Sequence, residues 1–315
     1  MTPGVRPFRF SVMTSGALDA ASWTALVRRI DAEGYDLIHM PQHRGTKGLS
    51  PLIALSFAAG VSERLRVGTL VLDNESAHPA IVARDAATLD LLSTGRLEVG
   101  IGAGWLEADH VSIGQSFDTA GVRIERLSEA IDVLRCSWQG ETANYSGRHY
   151  QLIDAVNHPL PCQVGGPPIL VGGGGRRVLE LAARKADIVS LVPNMSSGKV
   201  GRESAANATG AATAEKLAWV AGAAGDRLKD IELHTNLTNV FITDDRLPMM
   251  EKLARGYGLD NSADALAIPH VVVGTVRQCV EQLLERREST GISHYTVFEA
   301  NLDAFAPVLS ALVGR

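Results

Sequence analysis

Two stretches of the sequence carry residue types and spacings able to do chemistry. "ILVGGGGRRVLELAARKAD" (169–187) runs from apolar residues into Gly172, Gly173, Gly174 and Gly175, then Arg176, Arg177 and a helical pattern. Four consecutive glycines cost more chain entropy on folding than any other four residues, so something must approach this backbone closely. Bare N–H groups at a helix start, with Arg176 and Arg177 adding charge, form an anion site suited to phosphate. The plainer reading is a flexible tight turn. Spacing excludes a dinucleotide fingerprint: Gly172-x-Gly174 needs a third glycine where Arg177 stands, and "GIGAGW" (100–105) puts Trp105 at that place. The second stretch, "HMPQHRG" (39–45), offers His43, an imidazole that can donate to a substrate oxygen or carry a proton. Its plainer reading is a surface loop histidine, and His39 reads equally as a core residue. Glu107, just past Trp105, is the nearest acid on another loop, serving proton transfer or simply capping the segment that follows. Asp73 and Glu75 are comparable acids, whereas His78-Pro79 reads as the opening of a helix.

These residues need elements to hold them, and apolar periodicity supplies eight strand-then-helix units. Strands are expected at 8–13, 35–40, 65–72, 96–103, 167–172, 187–192, 231–242 and 294–299. Helices are expected at 20–34, 50–62, 80–93, 123–138, from 176, near 213–228, in segments to about 265, from 275 to 290, and in a short final helix after 294–299, with Ser50 as an N-cap before Pro51. Strands separated by helices pair in parallel, and eight such units fit a closed (β/α)8 TIM barrel. An open doubly wound sheet is the alternative, but no halfway break in composition suggests two nucleotide-binding halves. In a barrel the loops after the strands carry function, which is where His43, Glu107 and the four glycines fall. The stretch 194–214, poor in large apolar residues, reads as a flexible lid loop after the sixth strand.

Composition bounds the function classes. At 315 residues, 45% hydrophobic and 21% charged, the chain has material for a sizeable core, here read as a single domain over 1–315. A net charge of −5 gives no basic patch for nucleic acid. Cys136, Cys162 and Cys279 are odd in number and widely spaced, with neither a disulfide framework nor metal-ligand spacing, so no metal site is expected. No apolar run suits a signal peptide or a membrane span. A cytoplasmic protein is expected.

The run "SPLIALSFAAGVSERLRVGTLVLDNESAHPAIVARDAATLDLLSTGRLEVGIGAGW" (50–105), with "PPILVGGGGRRVLELAARKAD" and "VVVGTVRQCVEQLLERRESTGISHY" downstream, resembles the bacterial-luciferase-like flavin and deazaflavin oxidoreductases. The resemblance thins out between about 193 and 230. It implies a TIM barrel holding coenzyme F420, or alternatively FMN, in its mouth, with the cofactor phosphate on the turn matching Gly172–Arg176. It implies support of the ring system at Val71, Leu72 and Asp73, where relatives have a bulge and sometimes a non-prolyl cis peptide, and cofactor contacts at Ala103 and Gly104. His43 then stands beside the ring; many relatives carry Asp-His where this chain has Gln42-His43, so a carboxylate is missing there. The overall pattern looks closer to the F420-dependent members, implying hydride transfer between F420 and a small organic substrate. The alternatives are an FMN monooxygenase fed with reduced cofactor by a partner reductase, and a non-enzymatic binding barrel. A homodimer is expected because relatives commonly form one.

Overall fold

The structure, a computed structural model, describes residues 6–17, 19–44, 48–195 and 201–315. In chain order its principal elements are β1 (Arg9–Met13), α1 (Ala20–Ala32), β2 (Leu37–Met40), α2 (Pro51–Val61), β3 (Arg66–Thr69), α3 (Pro79–Leu92), β4 (Leu97–Gly102) and α4 (Ala120–Ser137). They continue with β5 (Ile169–Gly173), α5 (Arg176–Lys185), β6 (Ile188–Leu191), α6 (Gly210–Ala224), β7 (Glu232–Leu237), α7 (Val276–Thr290), β8 (Ile292–Phe298) and α8 (Leu302–Leu312). Eight strands, each handed on to a helix, follow the (β/α)8 plan predicted from the apolar runs.

The chain divides into two compact units. In the first, built from Thr14–Asp31 and Leu37–Val171, β2, β3, β4 and β5 pair in that order, always in parallel. Helix starts follow the sequence signals. Ser50 is the N-cap before Pro51, although its hydroxyl makes no cap hydrogen bond. His78 caps α3 through its ring, Nδ1 accepting from Ala80 N at 3.2 Å, which accounts for His78-Pro79 structurally. Arg96 ties the unit together: its guanidinium donates to the carbonyls of Ala59, Ser62, Leu65 and Ser93 at 2.6–2.8 Å. That satisfies carbonyls left over at the C-terminal end of α2. His39 is fully buried, packed so closely on Gly68 that a Cβ there would lie 2.9 Å from its ring.

In the second unit, which contains β1, Ala32–Asp36 and Gly172–Arg315, the order is β1, β8, β7, β6, again all parallel. Strands buried on both faces need apolar side chains toward the helices. Here Phe10 supplies them, its ring 6.3 Å from Tyr295 and 5.3 Å from Phe305. The opposite face of the same strands is polar and hydrogen-bonded from strand to strand: Ser11 Oγ bonds His294 Nε2 and Thr296 Oγ1, and His234 bridges Thr296 and Ser190.

Four expectations change. The long third strand stops at Thr69, and Leu72–Asp73 forms a separate two-residue strand on β4. The run 231–242 breaks into β7 and a strand Asn239–Ile242 that pairs with Val271–Gly274, the helix expected before 265 lying between them as Leu247–Tyr257. Between α4 and β5, where no element is expected, lies an antiparallel hairpin, Thr142–Ser146 with Gln151–Val156. Of the expected lid at 194–214, residues 196–200 lie outside the described residues. Arg202–Ala206 and the start of α6 are helical, because alanine-rich sequence favours helix once one face can pack. All three cysteines are free, and among the described residues no helix is long and apolar enough to cross a membrane.

Candidate active site

In the first unit the segment after β2 carries Gln42 and His43. His43 Nδ1 lies 2.7 Å from Asp109 Oδ2, with the carboxylate 7% and the imidazole 24% exposed. A carboxylate this buried needs donors, and it has a second: the backbone N–H of Arg44 donates to Asp109 Oδ1 at 3.1 Å. The edge of the His43 ring meets Trp105, centroids 5.6 Å apart. The carboxylate absent at position 42 is therefore supplied from position 109, on the short helix Glu107–Val111 that periodicity did not reveal. Glu107, at the start of that helix, is exposed and is not drawn into the His43 pair; the buried acid on that turn is Asp109.

Gln42 has a different task. Its Oε1 accepts from Asp73 N at 2.9 Å, and its backbone N–H donates to Val71 O at 3.3 Å. Asp73 in turn stands 2.9 Å from Nε2 of buried His110. Since His110 follows Asp109 in the chain and His43 follows Gln42, the contacts close a ring running Gln42, Asp73, His110, Asp109, His43. Asp73, expected under the cofactor, is a member of this frame.

The peptide between Leu70 and Val71 is cis, at the place where the family resemblance set a bulge. Val71 is half-buried and Leu72 buried. Val71 also explains one glycine of "GIGAGW": a Cβ on Gly102 would come within 2.8 Å of one of its methyl groups, while one on Gly100 would overlap the carbonyl of Thr69. Ala103 and Gly104 are held from behind by Arg123, which donates to their carbonyls at 3.0 and 3.3 Å. Burial lowers the Arg123 guanidinium from its ordinary value. Gly104 has φ +71, and a Cβ would meet Asp73 Oδ1 at 2.7 Å, so the turn demands glycine twice over.

In the second unit the four-glycine turn separates into different tasks. Gly172 and Gly173 end β5, and Val192 N donates to Gly173 O at 3.1 Å. A Cβ on Gly173 would overlap Val178, and one on Gly174 would overlap the backbone of Pro193 and Asn194, both nearer than 2.5 Å. These two glycines serve the protein's own packing. Gly175 differs: a Cβ there finds nothing nearer than the Asn194 side chain at 3.9 Å. Gly175 is the N-cap of α5 and itself brings no side chain to that end. The first-turn N–H groups of a helix lack intrahelical acceptors, so this opening fits an anion. Arg176 lies along the helix, paired with Glu180 at 2.7 Å. Beneath the turn, buried Lys216 donates to Val192 O and Asn207 O at 2.9 and 2.7 Å, and burial pulls its ammonium down to about 8. Lys216 thus braces the 192–194 backbone that Gly174 packs against.

Residues 5–258 match the model of the luciferase-like monooxygenases. The chain belongs to this family. Among curated proteins it is 31% identical over 167 residues to an F420-dependent glucose-6-phosphate dehydrogenase of Amycolatopsis mediterranei, covering 50% of this chain and 49% of that one. The chain thus spans about half the length of the curated relatives it matches. A coenzyme F420-dependent tetrahydromethanopterin reductase of Methanopyrus kandleri superposes over 98% of this chain and 99% of its own, with TM-score 0.76 at 16% identity. A monooxygenase of Streptomyces bottropensis does so over 96% and 99%, with TM-score 0.71 at 21% identity. Likeness at this identity fixes the fold, the (β/α)8 barrel of luciferase-like proteins.

Sequence reading missed Asp109, His110 and Arg123. The acid–histidine pair Asp109-His110, shortly after the glycine-rich turn "GIGAGW", was the available signal.

Proposed function

We propose that the chain is an oxidoreductase that transfers a hydride between the deazaflavin coenzyme F420 and a small organic substrate. The observation that carries this reading is the pair of His43, just after β2, with Asp109, in a chain of this family several of whose curated relatives are named for F420. Deazaflavin supplies hydride acceptance and donation when bound. The chain's part is to bind it, orient it and handle the proton that balances the hydride. On this reading the Gly175 opening and the first turn of α5 take the phosphate. Val71, Leu72, Asp73, Ala103 and Gly104 form a wall stiffened by Gln42 and Arg123. His43 exchanges the substrate proton, which requires an imidazole within hydrogen-bond reach of a substrate oxygen. Glu107, exposed, has no assigned step.

A second reading, an FMN monooxygenase using O2 and a partner reductase, draws support from the family's name and from the Streptomyces monooxygenase structure. Purified protein titrated with F420 and with FMN separates the two by absorbance and fluorescence. Preferential F420 binding with substrate-dependent bleaching of oxidised F420 is expected; FMN binding alone, or neither, overturns the proposal. The expected homodimer has apolar surface to bury: Ile53 and Phe57 on α2 and Leu92 on α3 are 75, 46 and 70% exposed. Sedimentation of the purified chain tests it, and a monomer at micromolar concentration ends the idea.

A further inference from the structure

We propose that Asp109 is the positioning residue that fixes His43 in its Nδ1–H form, so that the ring exchanges protons only through Nε2. The role given to Nε2 rests on the proton-transfer reading of His43 above; the form of the ring does not.

The argument starts from the two oxygens of Asp109. Oδ1 receives the backbone N–H of Arg44 at 3.1 Å, a donor with no second use. Oδ2 lies 2.7 Å from His43 Nδ1. A carboxylate only accepts, so the proton between them belongs to Nδ1. A neutral imidazole then has Nε2 as its acceptor nitrogen, and an imidazolium donates from the same Nε2. One nitrogen therefore serves substrate oxidation and reduction alike. Next to the acid in the chain, buried His110 packs with Nε2 2.9 Å from Asp73, whose own N–H is held by Gln42.

Asp109→Asn inverts this arrangement without changing its shape. The Arg44 N–H still requires an acceptor and takes Oδ1, which turns the amide NH2 toward His43. An NH2 donates, so Nδ1 must be bare and Nε2 must carry the proton. Both the neutral acceptor form and the imidazolium are then disfavoured. Asp109→Ala imposes neither form.

The test is nitrogen NMR on histidine-labelled protein without cofactor, above the pH at which the ring loses its charge, paired with turnover of the F420-loaded enzyme. His43 in the wild-type protein is expected to show Nδ1–H, in Asp109→Asn Nε2–H, and in Asp109→Ala a mixture. Turnover of Asp109→Asn is expected to fall by roughly 10⁴-fold, as the same inversion does in a Ser-His-Asp triad. It is also expected to fall below that of Asp109→Ala, although Asn is the closer fit; a merely structural role predicts the reverse order. A wild-type ring carrying its proton on Nε2, or a ring unchanged by Asp109→Asn, overturns the proposal. An inverted ring with undiminished turnover upholds the control by Asp109 and removes His43 from the chemistry.

Discussion

Replacing Gly174 and Gly175 one at a time by alanine separates packing from ligand binding within a single turn. At Gly174 the new Cβ would lie within 2.5 Å of three backbone atoms of Pro193 and Asn194, a segment itself pinned by Lys216. Backbone so held cannot move aside cheaply, and overpacking of this kind costs about 1–3 kcal/mol. At roughly 2 °C per kcal/mol for a chain of this length, Gly174→Ala is expected to melt several degrees lower. At Gly175 the backbone is extended, φ −97° and ψ 153°, which any residue adopts, and the nearest neighbour is 3.9 Å away. Gly175→Ala is therefore expected to melt like the wild type, or slightly higher because the unfolded chain loses freedom, an effect of about 0.4–1 kcal/mol. Its methyl group, however, occupies the opening before α5. Losing one hydrogen bond to a charged phosphate costs about 1.5–3 kcal/mol, which weakens cofactor binding by roughly tenfold to a hundredfold. Melting curves and a fluorescence titration with F420 give both numbers. An unchanged Kd in Gly175→Ala refutes the anion site, and a wild-type melting point in Gly174→Ala refutes the packing account.

Other perturbations follow from the same geometry. His43→Ala is expected to lower turnover by roughly 10²–10⁴-fold while cofactor Kd changes little; near-normal turnover in steady-state kinetics demotes the residue. Arg96→Met strips hydrogen bonds from the carbonyls of Ala59, Ser62, Leu65 and Ser93 and is expected to cost at least about 3 kcal/mol by urea unfolding, since bonds to a charged donor contribute about 1.5–3 kcal/mol each. A loss within measurement error would mean water replaces the guanidinium. Acid sensitivity has two sources. Burial holds His270 at about 4 rather than 6.5, so the unfolded chain binds a proton the folded one refuses, and stability falls as pH drops from 6.5 to 4 by up to about 3 kcal/mol. Burial alone would raise Glu232, but His294 and Arg9 together hold it at about 2, so its contribution is complete above about pH 4.5 and is lost as pH falls toward 2. Urea midpoints across this range should show both steps, and His270→Gln should flatten the upper one; an unaltered slope in that variant assigns the sensitivity elsewhere.

What could be read from the sequence follows from what each feature depends on. The eight strands were legible because strands covered on both faces leave runs such as "LEVGIG", and helices such as Arg176–Lys185 leave a 3.6-residue stripe. Both are local patterns, written in neighbouring residues. The hairpin Thr142–Ser146 with Gln151–Val156 was not legible, because its alternating residues are mostly exposed and polar. The His43–Asp109 pair joins residues 66 positions apart, and nothing near either one specifies the other. The glycine run shows how the two kinds of information mix. Its composition announced a close approach of backbone to something, and that inference holds at Gly173 and Gly174. For Gly173 and Gly174 the neighbours are Val178 and the 193–194 backbone, whereas at Gly175 the space is open. A run of four identical residues thus carries two requirements, one imposed by the fold and one left for a ligand. Only the three-dimensional neighbours tell them apart, which is why a substitution chosen from the sequence alone, at Gly173 or Gly174, would have measured stability and been taken for binding.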